Sequence, residues 1–133
     1  MKLTICTDGG ARGNPGPAAT GVVIKDEKGN TLAAYGEYLG KQTNNYAEYS
    51  AIISALKKAK ELGATEVDCI ADSKLVVEQL NGRWKVKEPT LQKLFVQAWN
   101  EMQKFKKVRL RHTLRGNNKE ADAQVNMVLD AKI

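Results

Sequence analysis

The sequence predicts an α/β protein built on a mixed five-stranded sheet, in which three antiparallel strands are followed by two parallel strands, flanked by helices. Three segments rich in β-forming residues occupy the first 39 residues and are joined by short turns, as in an antiparallel meander. After residue 44, helical segments alternate with two more β-rich segments. Strands that the chain enters through helices are expected to lie parallel to a neighbour, beneath those helices.

The individual elements follow from hydrophobic periodicity and from the positions of glycine and proline. A turn is expected over Gly9–Pro17, which contains four glycines and two prolines. Gly63 is placed to end the first helix, and Pro89 to begin a later one. In chain order, the predicted elements are strands over 2–8, 19–25 and 31–39, a helix over 45–62, a strand over 66–71, helices over 73–80 and 89–105, a strand over 108–114 and a helix over 118–131.

Length and composition set broad limits on the class of protein. A chain of 133 residues is predicted to form one domain, over residues 1–133. No apolar run approaches the roughly 18–20 residues that span a bilayer, and the N-terminus lacks a signal-peptide pattern. Cys6 and Cys69 fall within predicted strands and are expected to be free thiols in a reducing compartment. We expect a cytoplasmic protein, and a monomer, since nothing in the sequence implies a membrane or a protein partner.

The net charge of +6 is distributed unevenly along the chain. Residues 83–115 carry ten Lys or Arg against two Glu, whereas the segments before and after this basic block each carry a net charge of −1. Such a block is typical of a surface that binds a polyanion, although a solvated helix face explains it equally well. Charge alone leaves both interpretations open.

Two aspartates lie where predicted strands end. Asp8 ends the first strand and Asp72 the fourth, and functional sites in open α/β sheets form at the carboxyl ends of strands. Each aspartate also has a structural explanation. Asp8 precedes two glycines and can begin a turn, and Asp72 can cap the helix that is expected to begin at Ser73.

Two further acids lie on helix faces that are expected to be buried. Glu48 has apolar residues four and seven positions after it, although it could instead pair with Asn45 in a capping box. Asp122 has apolar residues three and seven positions after it, whereas Glu120 is the more suitable capping acid of that helix. An ionised carboxylate on a buried face is costly unless it is paired or binds a metal. Both acids are therefore functional candidates.

The predicted sheet would bring these four acids together at one end, without a basic partner of fixed position. Their mutual repulsion would raise some of their pKa values and destabilise the cluster, and divalent cations would relieve it. Ligands that are all oxygen favour Mg²⁺ or Mn²⁺ over zinc. Such a cluster can hold two ions about 4 Å apart, which clamp the attacking and leaving oxygens of a phosphodiester.

The same acids lie in four sequence blocks that resemble the type 1 ribonuclease H family. The blocks are TDGGARGNPGPAATG with Asp8, TNNYAE with Glu48, ADS with Asp72 and NKEAD with Asp122. They occur in the order that the family has, and the resemblance covers essentially the whole chain. It implies a ribonuclease H-like fold in which these four acids are the catalytic, metal-binding residues.

The resemblance also implies residues that bind an RNA–DNA hybrid. Thr43 stands where the family uses a hydroxyl in a phosphate-binding pocket for the DNA strand, and Arg115 can contact the scissile phosphate. RNA is distinguished from DNA by the 2′-hydroxyls in its shallow minor groove, which short amides and bare glycine backbone can approach. The implied minor-groove contacts are Gly10, Gly13, Asn14, Asn44 and Asn45, with Arg12 and Lys74 as additional substrate contacts.

Two departures from the family pattern affect these expectations. Some members carry a basic helix and loop that grip the hybrid, but here only residues 81–88 separate two helices, so weaker and more salt-sensitive binding is expected. Trp84 and nearby lysines could substitute, or Trp84 could be a packing residue. Relatives often have a histidine before the last helix, whereas His112 is in phase with Val108 and Leu110 and is expected in the core. The proton-transfer group is therefore left open, since Arg115 cannot act as a base.

The predicted function is metal-dependent hydrolysis of the RNA strand of RNA–DNA hybrids by an endonuclease with two metal ions and no organic cofactor. The resemblance implies products with 5′-phosphate and 3′-hydroxyl ends. Three alternatives are a catalytically inactive hybrid-binding module, a DNA-acting nuclease of the same superfamily and a small-molecule α/β domain. The intact acid quartet disfavours the first, and contacts suited to RNA disfavour the second. The third is disfavoured because the sequence lacks a phosphate-binding glycine motif that leads into a helix.

Overall fold

The computed structural model describes residues 1–132 and contains five strands and four α-helices in that range. A short 3₁₀ turn over Arg115–Asn117 precedes the last helix. In chain order the elements are β1 (Lys2–Ala11), β2 (Gly16–Lys25), β3 (Thr31–Gln42), α1 (Asn44–Glu61), β4 (Glu66–Ala71), α2 (Lys74–Leu80), α3 (Pro89–Met102), β5 (Lys107–His112) and α4 (Lys119–Asp130).

The five strands form one mixed sheet with the order β3-β2-β1-β4-β5. β1 and β3 both pair antiparallel with β2, whereas β4 pairs parallel with β1 and with β5. This arrangement confirms the predicted fold class. It also places β1 at the centre of the sheet, between the antiparallel and the parallel halves.

The first two strands are longer than the sequence predicted. Antiparallel pairing of β1 with β2 continues as far as Ala11 opposite Ala18, so the predicted turn over Gly9–Pro17 was too long. Asp8 therefore lies inside β1, not at its end. Gly9 and Gly10 lie within β1 and Gly16 begins β2; at Gly9 the close packing of α1 leaves no room for a side chain.

Several other boundaries differ from prediction by one to three residues. β3 extends to Gln42, and β5 ends at His112 instead of residue 114. α3 begins at Pro89 as predicted but ends at Met102. Phe105, which was assigned to that helix, instead packs into the core from the following turn.

Helices cover both faces of the sheet, but unequally. The main core lies under α1, α2 and α3 and includes Leu3, Ile5 and Leu56. On the other face α4 forms a much smaller cluster, in which Val125 and Leu129 pack against β2. Asp8, the catalytic candidate on β1, is thus enclosed from two sides, by α1 and by α4.

Two expectations from composition can be compared with the structure. Cys6 and Cys69 are free thiols, as predicted, and burial raises the pKa of the Cys69 thiol to about 12. Within residues 1–132, no helix combines the length and the apolar character needed to cross a membrane.

Candidate active site

The parallel pairing of β1 with β4 places Asp8 beside Asp72. The last paired residues are Thr7 and Ala71. Asp8 and Asp72 are the next residues on the two strands, so both carboxylates lie at the same edge of this parallel pair. Ser73, not Asp72, caps α2 by accepting a hydrogen bond from the Val76 N–H group. The interpretation of Asp72 as a helix cap is therefore wrong.

Glu48 reaches the same point from α1. Its Oε1 atom accepts a 2.7 Å hydrogen bond from the main-chain N–H group of Gly9. A Cβ atom at Gly9 would lie 2.2 Å from the main-chain carbon of Ala47, so only glycine allows α1 to approach β1 this closely. The capping-box alternative for Glu48 is also wrong, because Thr43 caps α1 by accepting from the Tyr46 N–H group.

Asp122 approaches from the opposite face of the sheet, in the first turn of α4. This helix also requires a glycine, because a Cβ atom at Gly21 would lie 2.1 Å from the carbonyl oxygen of Ala121. Glu120 does not act as the expected cap; its carboxylate binds the Lys25 ammonium group at 2.7 Å. The only acid of that turn left to face the cleft is thus Asp122.

Three of the four acids form a tight group. Asp8, Glu48 and Asp72 each offer a carboxylate oxygen, and these oxygens all lie within 4.8 Å of one another. Asp122 lies outside this group but lines the same cleft as Asp8. One oxygen each of Asp8 and Glu48, and both oxygens of Asp72, are buried without a hydrogen-bond partner among the described residues.

Burial and mutual repulsion raise the pKa values of this group. Burial, together with the neighbouring carboxylates Asp72 and Asp122, raises the pKa of Asp8 to about 7, although a hydrogen bond with Glu48 acts in the opposite direction. Burial, together with the charges of Asp72 and Asp8, raises the pKa of Glu48 well above its usual value. A bound divalent cation would reverse this effect, because it stabilises the ionised carboxylates.

The donor set is chemically suited to a hard divalent cation. Buried carboxylate oxygens without a hydrogen-bond donor are costly unless something replaces the lost water. Oxygen ligands are those that Mg²⁺ and similar ions prefer. The Nε atom of Arg115 lies 3.7 Å from Asp72 Oδ2, but this side chain is 78% exposed. The group of acids can therefore hold a divalent metal.

The predicted substrate contacts fall into two sets. Those that line the cleft of about 250 Å³, together with Asp8 and Asp122, are Gly10, Arg12, Asn44 and Arg115. Outside its lining lie Gly13, Asn14, Thr43, Asn45 and Lys74.

Asn14 and Asn44 connect the β1–β2 turn to the start of α1. Asn14 Oδ1 accepts from the Asn44 N–H group at 3.0 Å, and Asn44 Oδ1 accepts from the Ala11 N–H group at 2.8 Å. Both side-chain oxygens thus have a structural role. The hydroxyl of Thr43 is likewise used as a cap, through its oxygen.

Two basic residues among the predicted substrate contacts, Arg12 and Lys74, have partners on the protein surface. Arg12 forms a 2.6 Å ion pair with Asp130, at the far end of α4. Lys74 lies over the ring of Trp84, with its ammonium nitrogen 5.9 Å from the ring centroid. Trp84 is 44% exposed, so it is not a core residue.

His112 is not a core residue, and the prediction for it was wrong. Its position in β5 is in phase with Leu110, which is buried, but His112 itself is exposed at the end of the strand. β5 is an edge strand, and the last residue of an edge strand has little covering it. Periodicity indicates which face a side chain is on, but not whether another element covers that end of the face.

One residue of the site was missed by the sequence analysis. Asn118 is buried, and its Nδ2 group donates a 2.7 Å hydrogen bond to the carbonyl oxygen of Thr7. The main-chain carbonyl oxygen of Asn118 accepts a 3.1 Å hydrogen bond from the Asp122 N–H group. An asparagine before a helix indicates a cap in sequence, and nothing local distinguishes a cap from a contact with a distant strand.

Known proteins resemble this chain over nearly its full length. The family model described as "Reverse transcriptase-like" matches residues 6–128. A bifunctional protein of Mycobacterium tuberculosis is 47% identical over 98% of this chain, which spans only 36% of the length of that protein.

Two solved structures are similar in fold and in sequence. Ribonuclease H1 of the halophilic archaeon Halobacterium salinarum has a TM-score of 0.96 and 38% identity, covering 98% of this chain and 99% of that one. LC11 ribonuclease H1, isolated from compost and solved in complex with an RNA/DNA hybrid, has a TM-score of 0.93 and 44% identity, covering 98% of each chain. The fold, the arrangement of acids and these similarities agree: the chain belongs to the type 1 ribonuclease H family.

Proposed function

We propose that this chain hydrolyses the RNA strand of RNA–DNA hybrids, with Asp8, Glu48, Asp72 and Asp122 as the acids that hold divalent metal. The observation that carries the proposal is the buried group of carboxylate oxygens within 4.8 Å of one another, several of which lack a partner. A protein that only bound hybrids would gain nothing from clustered negative charge facing phosphates. The complex of LC11 ribonuclease H1 with an RNA/DNA hybrid supports the substrate class.

The acids would hold two ions, either Mg²⁺ or Mn²⁺. When bound, two such ions supply Lewis acidity and charge neutralisation for displacement at a phosphodiester, in this case giving 5′-phosphate and 3′-hydroxyl ends. Glu48 is fixed for this role by its bond from Gly9, and Asp8 and Asp72 by the pairing of β1 with β4 through the residues just before them. Asp122, outside the tight group, would complete the ligand set from α4.

Donors at the edge of the cleft would recognise the RNA strand. Because Asn14 and Asn44 use their side-chain oxygens within the protein, their Nδ2 groups are the parts that can donate to 2′-hydroxyl oxygens. Asn45 and the backbone at Gly10 and Gly13 would add contacts in the same minor groove. These contacts would bind RNA without reading its sequence.

Hydroxyl and basic groups would bind the phosphates. The Thr43 oxygen accepts from the Tyr46 N–H group, which leaves its hydroxyl proton free for a phosphate of the DNA strand. Arg115, largely exposed beside Asp72, would contact the scissile phosphate through its guanidinium fork. To contact the substrate, Arg12 would have to leave its ion pair with Asp130, and Lys74 would have to leave the ring of Trp84.

The test is cleavage of a labelled RNA–DNA hybrid with Mg²⁺ or Mn²⁺, compared with EDTA and with an Asp72→Asn variant. Cutting of the RNA strand alone, absent with EDTA and in the variant, is the expected result. Asp68→Asn is the matched control, because Asp68 lies on β4, the strand that Asp72 follows, but binds Arg111 away from the cleft. Activity should survive in this control.

Parallel substrates separate the alternatives. Equal cutting of duplex DNA would favour a DNA-acting nuclease of the same superfamily. Tight binding of the hybrid without cutting, with either ion, would leave only a hybrid-binding module and end the proposal of an enzyme.

We also propose that residues 1–133 act as one catalytic domain in a cytoplasmic setting. All the described strands join one sheet, on which the helices pack. The free thiols of Cys6 and Cys69 suit a reducing compartment.

A further inference from the structure

A second basic surface lies outside the catalytic cleft, along the free edge of β5. β5 is the last strand of the sheet, and within residues 1–132 no strand pairs with its outer edge. A groove of about 530 Å³ runs between this edge and α2 with the turn that follows it, and it shares no lining residue with the catalytic cleft. The lining of this β5 groove includes six side chains that can donate hydrogen bonds: Asn81, Arg83, Lys107, Arg109, Arg111 and His112.

The β5 groove contains much of the basic block that the sequence revealed. Four of its lining residues are Arg or Lys and only one, Glu78, is acidic. Glu78 binds Arg83 at 2.9 Å. Lys107 and Arg109 form no ion pair with any residue in the described part of the chain, and both are exposed.

Protection of an edge strand explains only part of this charge. Lys and Arg on an edge strand discourage pairing with another sheet. That purpose does not require Arg83, which follows α2 and faces β5 from the opposite wall of the groove. Because Glu78 binds Arg83 and Asp68 binds Arg111, the cations of the groove that remain free for a polyanion are Lys107 and Arg109.

The β5 groove begins beside the catalytic acids. His112 lies at the end of the groove nearest these acids and pairs with Ala71, the residue that precedes Asp72. The strand then runs back to Lys107, roughly 17 Å away at about 3.3 Å per residue. Lys107 and Arg109 project from the same side of the strand about 6.6 Å apart, a spacing similar to that of phosphates in an extended nucleic-acid strand.

We propose that the β5 groove binds the phosphate backbone of a single strand that extends beyond the hybrid. This inference rests on the proposed function, because it assumes that a hybrid occupies the cleft. A narrow groove with one row of free cations suits a single backbone. The linker between α2 and α3 of this chain is short. The groove would supply additional phosphate contacts to hybrids that carry a single-stranded tail, and blunt hybrids would not make these contacts.

The test compares a blunt hybrid with the same hybrid carrying a single-stranded tail at either end of either strand. Binding is measured by fluorescence anisotropy in the Asp72→Asn background, which prevents cutting. At least one tailed hybrid should bind more tightly than the blunt one. The advantage should fall roughly sevenfold between 50 and 200 mM salt, as expected for two phosphate contacts to a single strand.

A double variant assigns this advantage to the groove. Lys107→Ala/Arg109→Ala should abolish it and leave binding of the blunt hybrid unchanged. The matched control is Lys28→Ala/Lys57→Ala, which removes two exposed lysines elsewhere and should keep the advantage. In the unmodified chain, cleavage of the blunt hybrid is assayed in parallel, so that failure of the proposed function is seen separately.

Three results would overturn the proposal: no tail improves binding, the advantage survives in the Lys107→Ala/Arg109→Ala variant, or the control pair loses it equally. If an acidic peptide bound in this groove and no tail improved binding of the hybrid, the groove would be a protein-docking surface instead. That outcome also counts against the proposal.

Discussion

The Nδ2 group of Asn118 donates a 2.7 Å hydrogen bond to the main-chain carbonyl of Thr7, 111 residues away in sequence. Thr7 precedes Asp8, and Asn118 accepts the first hydrogen bond of the helical turn that carries Asp122. One buried side chain therefore connects the strand of one acid to the helix of another. We expect this bond to help fix the position of Asp122 relative to Asp8.

Replacing Asn118 by Ala should lower kcat with little change in KM. The loss of the bond leaves the Thr7 carbonyl without this partner and should reduce stability by roughly 1–3 kcal/mol. Because α4 would then be held less closely, Asp122 should contribute less to metal binding. Calorimetric titration with Mg²⁺ should show weaker affinity in the folded variant, and circular dichroism should confirm that it is folded.

Asn117→Ala is the matched control for that variant. Asn117 is the neighbouring residue and is exposed, so stability, metal affinity and kcat should stay near those of the unmodified chain. Unchanged metal affinity in the folded Asn118→Ala variant would contradict a positioning role for Asn118.

A methyl group at Gly9 should disrupt the contact between α1 and β1. In Gly9→Ala the added carbon would meet main-chain atoms of Ala47 and Glu48 at 2.2–2.4 Å, so the helix must move. We expect a loss of roughly 3 kcal/mol or more, the upper range for overpacking, measured by urea unfolding. Gly116→Ala is the control, because a Cβ atom there meets nothing within 4 Å; equal losses in both variants would exclude this explanation.

The two acids in the first turn of α4 should behave differently when neutralised. Asp122→Asn should lower kcat by roughly 10²-fold, since it removes one electrostatic contribution to the transition state. The loss should be smaller than in Asp72→Asn, because Asp122 lies outside the group of acids within 4.8 Å. Glu120→Gln should retain activity, since Glu120 binds Lys25. Steady-state cleavage of a hybrid distinguishes them, and equal loss in both variants would argue against Asp122 as a metal ligand.

The stability of the metal-free protein should fall as pH rises from 5 to 8. Burial and neighbouring charges raise the pKa of Asp8 to about 7 and that of Glu48 above its usual value, so the folded state binds more protons than the unfolded state in this range. Stability then decreases with pH. The change should be roughly 1–4 kcal/mol, since one pKa unit corresponds to about 1.4 kcal/mol. Thermal unfolding in EDTA measures it.

Two controls assign that pH dependence to the acids. Asp8→Asn should flatten the dependence because it removes a titrating group. Excess Mg²⁺ should do the same in the unmodified chain by keeping the acids ionised. If stability in EDTA instead rises between pH 5 and 8, the acids are not held with raised pKa values.

The sequence by itself determined the type and order of the elements and indicated the four candidate acids. Periodicity of two or of three to four residues depends on local backbone geometry, so strands and helices can be recognised without their partners. Glu48 was identified in this way, because its helical stripe is otherwise apolar. Its burial beside Gly9 confirmed that stripe.

The tertiary structure decided whatever depends on residues distant in sequence. Gly9 indicated a turn, but pairing with β2 places it in a strand; His112 is in phase with the core, but it is exposed at the end of an edge strand. Asn118 was predicted only as the first residue of the last helix, and its side chain binds Thr7. In each case the local sequence permits both conformations or environments, and the free energy of packing against an element elsewhere in the chain selects one of them.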